Sequence, residues 1–298
     1  VTPELVIAAP PGDGRKWAAA VSGGADSVAM LLLCREWVGH VVHLDHETRG
    51  EASTGDARVV GELARGLGLP VTVRRRSEME PTTKPVANRS AHFRRLRLAL
   101  YRDVVQEHGL AGVMQAHHAD DQAETVALRL LRGSGFAGLV GIAVTSEVAG
   151  VRIHRPLLGV RKSELAAYLR AHGQTWREDA SNASSAYGRN RVRVVLAERP
   201  GLTPLLLDLA GAARAYRDAL NRHLPEVEGR LPIEVILSLP GPLREHLARR
   251  FLGRWVGEAE KGTIDRFLGW VGDAAGGAKL SLPGGRHARR RRGMVWVE

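Results

Sequence analysis

The segment Ser22-Gly23-Gly24-Ala25-Asp26-Ser27 decides the reading of this chain. It follows a short apolar run, Trp17 to Val21, and opens a helix-like run, Val28 to Leu33. A strand, a loop of small residues and a helix N-terminus together present backbone N–H groups to phosphate. Ser22 and Ser27 add hydroxyl donors, while Gly23 and Gly24 let the backbone approach an anion closely. Asp26 is the odd member, because a carboxylate repels phosphate oxygens unless a divalent cation such as Mg²⁺ stands between them. The lysine of a GxxxxGK[ST] loop is absent, so this is a phosphate loop of another kind. The competing reading is a plain strand-to-helix turn in which Asp26 merely caps the helix.

Outward from this loop, short apolar runs alternate with amphipathic ones, the pattern of βαβ units and a parallel sheet. Expected strands are Trp17–Val21, His40–Leu44, Pro70–Arg74, Gly112–Ala116 and Val151–Ile153. Expected helices are Val28–Trp37, Gly55–Leu67, Asn88–Glu107, Asp121–Leu131 and Lys162–His172. Residues 177–193 read as a polar loop entering a helix, and Pro200, Gly201 and Pro204 mark a break. Beyond it come a helix over Leu205–Leu220, further helical pattern, and two short strand-like pieces, Ala278–Leu282 and Met294–Val297. The expected class is α/β: a Rossmann-like parallel sheet flanked by helices over residues 1–200, with a smaller, mostly helical domain over 201–298.

A second constellation, His117-His118-Ala119-Asp120-Asp121-Gln122-Ala123-Glu124-Thr125, stands where an expected strand gives way to a helix. In open α/β sheets ligands bind at that carboxyl edge, the same edge as the phosphate loop. Asp121 and Glu124 are three apart and Asp120 and Glu124 four apart, so their side chains share a helix face. Two readings stand level on chemistry alone. Asp121 caps the helix with Glu124 three residues on, or the carboxylates hold a cationic substrate or a metal. A zinc or iron site built on His117, Asp120 and Glu124 is the weaker option, because no second cluster completes its shell.

The 298 residues hold no run approaching the roughly 20 apolar residues of a membrane span. The first residues lack both a secretory apolar core and a starting Met, so the N-terminus reads as trimmed. One cysteine, Cys34, excludes a disulfide framework and a CxxC redox or metal site, and its apolar setting suits a buried structural thiol. Together these features lead us to expect a soluble, cytoplasmic protein. The net charge of +11, from 43 Lys and Arg against 32 Asp and Glu, suggests an anionic polymer as partner. Part of it reflects general arginine usage. Clusters at Arg74–Arg76, Arg94–Arg97, Arg189–Arg193 and Arg289–Arg292 are more telling.

The loop at 22–27 resembles the SGGxDS signature of the PP-loop ATP pyrophosphatases, which cleave ATP between the α and β phosphates and adenylate a substrate oxygen. A longer series resembles the tRNA(Ile)-lysidine synthetase family. It comprises HxxDDQAET at 117–125, Arg129, Arg132-Gly133-Ser134-Gly135, Gly138-Leu139, Arg155-Pro156-Leu157-Leu158 with Arg161, Glu178-Asp179-Ala180-Ser181-Asn182, and Arg189-Asn190-Arg191 with Arg193. These motifs run in the family's order from about residue 17 to 196; the C-terminal third matches weakly, at Leu282-Pro283-Gly284-Gly285. Three departures stand out. Glu47-Thr48 replaces a small pair between Asp45-His46 and Arg49, Leu98 replaces an aromatic on the helix that carries Asn88, Arg94 and Arg97, and Ala180 replaces a proline.

The resemblance implies a ligase that converts the wobble cytidine of the CAU-anticodon isoleucine tRNA into lysidine, using ATP, Mg²⁺ and L-lysine. It implies that Ser22, Gly23, Gly24, Ala25, Asp26 and Ser27 hold ATP, with Asp26 on Mg²⁺. Asp121 and Glu124 would receive the lysine ammonium, and Arg94, Arg97, Arg132, Arg189, Asn190, Arg191 and Arg193 would meet phosphates of ATP or tRNA. A lysine amine of pKa about 10.4 costs roughly 4.6 kcal/mol to deprotonate at pH 7, so a base is needed. His117 or one of the acids serves; equally, His117 orients Asp121. Members of the family are often dimeric, so a homodimer is compatible. Longer relatives carry a further C-terminal domain, and this sequence is expected to recognise tRNA with what it has. The alternative is another PP-loop ATPase with a different acceptor, tRNA-modifying or NAD synthetase-like. A single cysteine speaks against the sulfur-carrying thiolases.

Overall fold

The computed structural model describes residues 5–48, 51–80, 89–177, 188–257 and 259–298. Asn88, Arg49 and the 178–182 motif lie outside the described residues. The chain packs as two compact units, one made of the residues up to Leu128 with Gly141–Leu207, the other of Arg129–Val140 with Asp208–Glu298.

The first unit is built on a six-stranded sheet of order β3-β2-β1-β4-β6-β5. Its strands are β1 (Trp17–Ala20), β2 (Val38–Asp45), β3 (Val71–Arg75), β4 (Val113–Met114), β5 (Thr145–Val148) and β6 (Val151–His154). Pairing is parallel from β3 through β6, and only β5 runs antiparallel, against β6. Among the described residues β3 and β5 are therefore the two edges. The helices are α1 (Ala25–Leu33), α2 (Glu51–Gly66), α3 (Arg76–Met79), α4 (Arg89–Glu107), α5 (Ala119–Leu131), α6 (Lys162–Ala171) and α7 (Gly188–Glu198), and α8 (Leu202–Arg222) begins in this unit.

Successive strand side chains point to opposite faces, and the core divides accordingly. Trp17, Ala19 and Val41 pack with Val28, Met30 and Leu31 of α1, Val60 of α2, and Leu165 and Leu169 of α6. Ala18 and Val42 pack on the other face with Leu100, Tyr101 and Val104 of α4 and Ile153 of β6. The alanines of β1 are poor strand formers by themselves. Ala18 and Ala19 are fully buried at the sheet centre, where small side chains let helices approach from each face. Strand β4 is shorter than the expected Gly112–Ala116, and the edge hairpin β5–β6 adds a strand that weak alternation in Thr-Ser-Glu-Val conceals. Cys34 is buried at the end of α1, and burial pushes its thiol up to about 12, consistent with an inert structural role.

The second unit contains more strand than expected. Helices α9 (Ile233–Ser238), α10 (Gly241–Val256) and α11 (Lys261–Gly272) accompany a four-stranded antiparallel sheet of order β7-β10-β9-β8. Its strands are β7 (Arg230–Pro232), β8 (Lys279–Ser281), β9 (His287–Arg291) and β10 (Met294–Val297). Leu231, Ile236, Leu247, Phe251, Phe267 and Val295 form its core. The Arg289–Arg292 run lies mostly in β9 and is partly structural. Arg289 pairs with Glu298 at 2.7 Å, and Arg290 donates to the carbonyls of Trp270 and Asp273 at 2.7 Å.

Candidate active site

The chain leaves β1 at Ala20 and turns through Ser22 to Gly24 into α1. Gly23 has φ +88°, a left-handed conformation that side-chain-bearing residues seldom adopt, so the second position of the motif is set by backbone geometry. Ser27 is buried and closes the loop on itself. Its Oγ accepts the Ser22 N–H at 3.1 Å, donates to the Gly24 carbonyl at 2.9 Å, and stands 3.2 Å from Ser22 Oγ. The Arg177 N–H donates to the Gly23 carbonyl at 3.0 Å, while its guanidinium pairs with Asp56 at 2.9 Å, bracing the loop from α2.

Asp26, in the first turn of α1, has a buried Oδ1 with no hydrogen-bond partner. A carboxylate oxygen left unmet in a buried position costs stability unless something polar engages it. A hard divalent cation takes oxygen ligands of this type, so the residue fits Mg²⁺. Among the described residues no group of three or more His, Cys, Asp and Glu has a metal-holding arrangement. Any cation held here would complete its shell with ligand and water oxygens.

The start of α5 differs from the capping alternative. His118, not Asp121, occupies the position before the helix. Asp121 Oδ2 accepts the His118 N–H at 3.1 Å, and the Asp121 N–H donates to His118 Nδ1 at 3.4 Å. The exchange is reciprocal, as in a capping box, with an imidazole in place of the usual hydroxyl. His118 Nε2 then faces Asp26 Oδ2 at 3.6 Å and Asp121 Oδ2 at 3.5 Å. Burial alone would lower its pKa; the carboxylates of Asp26, Asp121 and Asp120 outweigh that and raise it. His117 behaves oppositely. Burial pushes it down to about 4 against the pull of Asp121, and its Nδ1 is buried without a hydrogen-bond partner.

Asp120 lends its charge to His118, with Oδ2 3.6 Å from His118 Nδ1, but its hydrogen bonds are spent on structure. Its Oδ1 accepts Arg161 Nε at 3.0 Å and its Oδ2 accepts the Lys162 N–H at 2.8 Å, which fastens α5 to the N-terminus of α6. Gln122 is structural as well. Its Nε2 donates to the Ile142 carbonyl at 3.0 Å and its Oε1 accepts the Ile142 N–H. A Cβ on Gly141 would stand 2.2 Å from Gln122 Oε1, so only glycine fits beside it.

Glu124 and Asp121 are buried, and two arginines of α7 reach them. Arg189 Nε donates to Glu124 Oε2 at 2.8 Å and Arg193 Nε to Glu124 Oε1 at 2.5 Å. Both guanidiniums also approach Asp121 Oδ1, at 3.4 and 3.6 Å. Positions four apart share a helix face, whereas exposed Arg191 projects elsewhere. Arg189 and Arg193, expected on phosphates, thus sit on the acids expected to bind lysine. Asn190 lies between them on the same helix.

Two cavities meet at Asp26. One, of about 370 Å³, is lined by Ser22, Gly24, Ser27, His46, His117 and Arg155, with Arg94 and Arg97 of α4 on its wall. Burial pushes His46 down to about 4, aided by the charge of Arg97; its Nδ1 and Arg155 Nε also have no partner. The other cavity, of about 430 Å³, is lined by His118, Asp121, Glu124, Arg193 and Lys162. Asp26 lines both. Arg132 belongs to neither and lies in the second unit. Sequence reasoning passed over His118 as a participant; its spacing of three from Asp121 was the available signal.

A model of the PP-loop domain family matches residues 5–199. The tRNA(Ile)-lysidine synthase of Symbiobacterium thermophilum is 35% identical over 300 residues, covering 89% of this chain and 61% of that protein. That of Thermus thermophilus is 36% identical over 294 residues, covering 93% of this chain and 56% of that protein. The chain therefore spans less than two thirds of the length of these relatives. A shorter one, from Novosphingobium aromaticivorans, is 34% identical, and the match covers 87% of this chain and 86% of that protein. Among solved structures, the U34-tRNA thiolase NcsA of Methanococcus maripaludis superposes with a TM-score of 0.53 at 18% identity, covering 72% of this chain and 74% of that one, a likeness of fold alone. On these matches, and on the loop and acid pair just described, the chain belongs to the PP-loop family and to its tRNA(Ile)-lysidine synthase branch.

Proposed function

We propose that the protein ligates L-lysine to the wobble cytidine of the CAU-anticodon isoleucine tRNA at the cost of one ATP, yielding lysidine, AMP and pyrophosphate. Residues 1–200 are the catalytic part and 201–298 a tRNA-binding part. The observation that carries the reading is the position of Asp26 on the shared wall of two cavities. One has the phosphate loop and the other the acid pair, which suits a reaction in two halves around one reacting carbon.

In the first half the cytosine O2 attacks the α-phosphorus of ATP, and the bond to pyrophosphate breaks. The backbone N–H groups at 22–27 and the N-terminus of α1 hold the phosphates. Asp26 would hold Mg²⁺, which when bound offsets charge on the leaving pyrophosphate. Arg94 and Arg97 stand where anionic oxygens need counter-charge. In the second half the lysine amine attacks the activated ring carbon, and the carbon–oxygen bond to AMP breaks. Asp121 and Glu124 hold the ammonium by exchanging it for the guanidiniums of Arg189 and Arg193, which turn to the phosphates. The amine must shed a proton. His117, whose Nδ1 has no hydrogen-bond partner, or one of the acids takes it as the amine attacks.

Radiolabelled lysine transfer to an isoleucine tRNA transcript, with ATP and Mg²⁺ and a methionine tRNA alongside, tests the proposal. Transfer to the isoleucine tRNA alone, lost in Asp26→Ala, supports it. ATP cleavage to AMP and pyrophosphate without lysine transfer would move the acceptor elsewhere while leaving the PP-loop chemistry intact.

A further inference from the structure

The second unit has a groove of about 640 Å³ that the ligase chemistry leaves unused. Its wall begins where α5 ends. The Ser134 N–H donates to the Arg129 carbonyl and the Gly133 N–H to the Leu130 carbonyl, both at 2.9 Å, with Gly133 at φ +70°. That paired closure ends the helix and reverses the chain. Phe136 follows immediately and meets Tyr216 of α8 edge to face, with centroids 5.3 Å apart. Both rings remain open, at 42% and 38% exposure. Core aromatics bury such area; these two hold each other in place and leave faces free.

Charge and an unmet polar atom surround the rings. Arg132, Arg249 and Lys261 line the same groove together with Glu245 and Glu260, and Lys261 pairs with Asp265 at 3.2 Å. Arg249 is fixed by the Ala259 carbonyl at 2.9 Å and by Glu245 at 3.2 Å, whereas Arg132 is exposed on the turn itself. His246 is 8% exposed; its Nε2 stands 3.0 Å from Asn221 Oδ1, and its Nδ1 is buried without a hydrogen-bond partner. Free aromatic faces beside guanidiniums serve a π-faced ligand that carries negative charge. An acidic peptide would engage the arginines and leave the rings idle, and a duplex keeps its bases stacked out of reach.

We propose that this groove takes one unpaired nucleotide of an RNA strand, its base against Phe136 and Tyr216, its phosphate on Arg132, and a hydroxyl or amino group toward His246. The choice of RNA rests on the tRNA substrate of the proposed function; the nucleotide chemistry rests on the groove. A base inserted here anchors the strand without reading its sequence, because every base presents a π-face. Substrate RNA is thereby held at a point other than the base to be modified.

Fluorescence anisotropy with a short labelled single-stranded RNA tests this, alongside lysine transfer to the full tRNA. The Phe136→Ala/Tyr216→Ala protein should bind the strand about tenfold more weakly or worse, and Phe136→Tyr should bind as wild type does. Arg132→Ala should reduce the dependence of log affinity on log salt by about one phosphate's worth. In lysine transfer the double variant should raise KM for tRNA and leave kcat unchanged. Unchanged strand binding in the double variant, with the wild type active, overturns the platform and spares the ligase reading. Ring-dependent binding in a wild type that transfers no lysine does the reverse. Displacement of the strand by free AMP at comparable concentration overturns the RNA assignment in favour of a mononucleotide.

Discussion

Arg193 Nε donates to Glu124 Oε1 at 2.5 Å, so a side chain proposed to bind an incoming ammonium already holds a cation. Arg189 completes the pairing at 2.8 Å, and both arginines keep about two fifths of their side-chain surface exposed, at 41% and 38%. The acids are at 12% and 5%. Buried carboxylates so paired are costly to strip of their partner. An exchange of one cation for another avoids that cost, which makes an arginine-closed subsite a reasonable resting state for a lysine site.

Arg193→Ala is therefore expected to lower stability by about 1–3 kcal/mol, because it leaves Glu124 short of a donor. Added L-lysine should restore part of the loss, through binding to the folded state. Thermal melts with rising L-lysine, wild type against variant, are the check. A larger lysine-dependent rise in Tm for the variant is the expected outcome; equal rises would place lysine away from Glu124.

Asp26→Asn should separate activity from stability. The substitution removes a charge whose buried Oδ1 has no partner but whose Oδ2 faces His118 at 3.6 Å, so Tm should change little. Loss of an electrostatic contact at the reacting phosphates should lower kcat by roughly 10²–10³-fold. Single-turnover release of pyrophosphate alongside a melting curve reads both quantities.

His117 and His46 make the protein acid-labile in a defined window. Each falls from 6.5 to about 4 on folding, with burial as the main cause. Above 6.5 neither state takes up the proton. Below it the unfolded chain does and the folded one resists, so stability falls as pH drops from 6.5 toward 4. The loss approaches roughly 3 kcal/mol for each residue. Urea midpoints at pH 7 and pH 5 should differ less in His46→Leu than in wild type. An equal pH dependence would show that His46 titrates normally.

Gly23→Ala tests the loop's handedness. A Cβ there would meet nothing closer than Val60 Cγ2 at 3.7 Å, so space is available and the cost is conformational. With φ at +88°, that cost is roughly 1–2 kcal/mol. A lowered Tm with a raised KM for ATP is expected. A drop in Tm with ATP binding intact would mean that the phosphates do not lie on this turn.

Much of the fold could be read from the sequence because its signals are local. The strand, small-residue loop and helix around Gly23 lie within a few residues of one another, and the apolar run in β2 marks a sheet with two covered faces. Strand β9 escaped because arginines dominate it. Only buried Ala288 betrays the inner face, and Arg290 spends its guanidinium on loop carbonyls. The acids Asp121 and Glu124 stood out as a helix-face pair, but their partners on α7 are 65 or more positions away and no periodicity reports them. His118 was hidden for another reason. Imidazole is a rare helix cap, so the usual preference for Ser, Thr, Asp and Asn directed attention to Asp121.

The edges of the six-stranded sheet have a bearing on how copies of the chain keep apart from one another. Open strand edges are templates for the next copy of a protein, and a flat apolar one seeds aggregates. Here β3 ends in exposed Arg74 and Arg75, and β5 exposes Glu147. A second chain adding to either border would have to lay its own backbone against fixed charge, and two β3 edges would oppose like charges. Arginines read in the sequence as part of a basic cluster thus serve here as a guard against self-templating, and neutralising them should cost solubility before it costs activity.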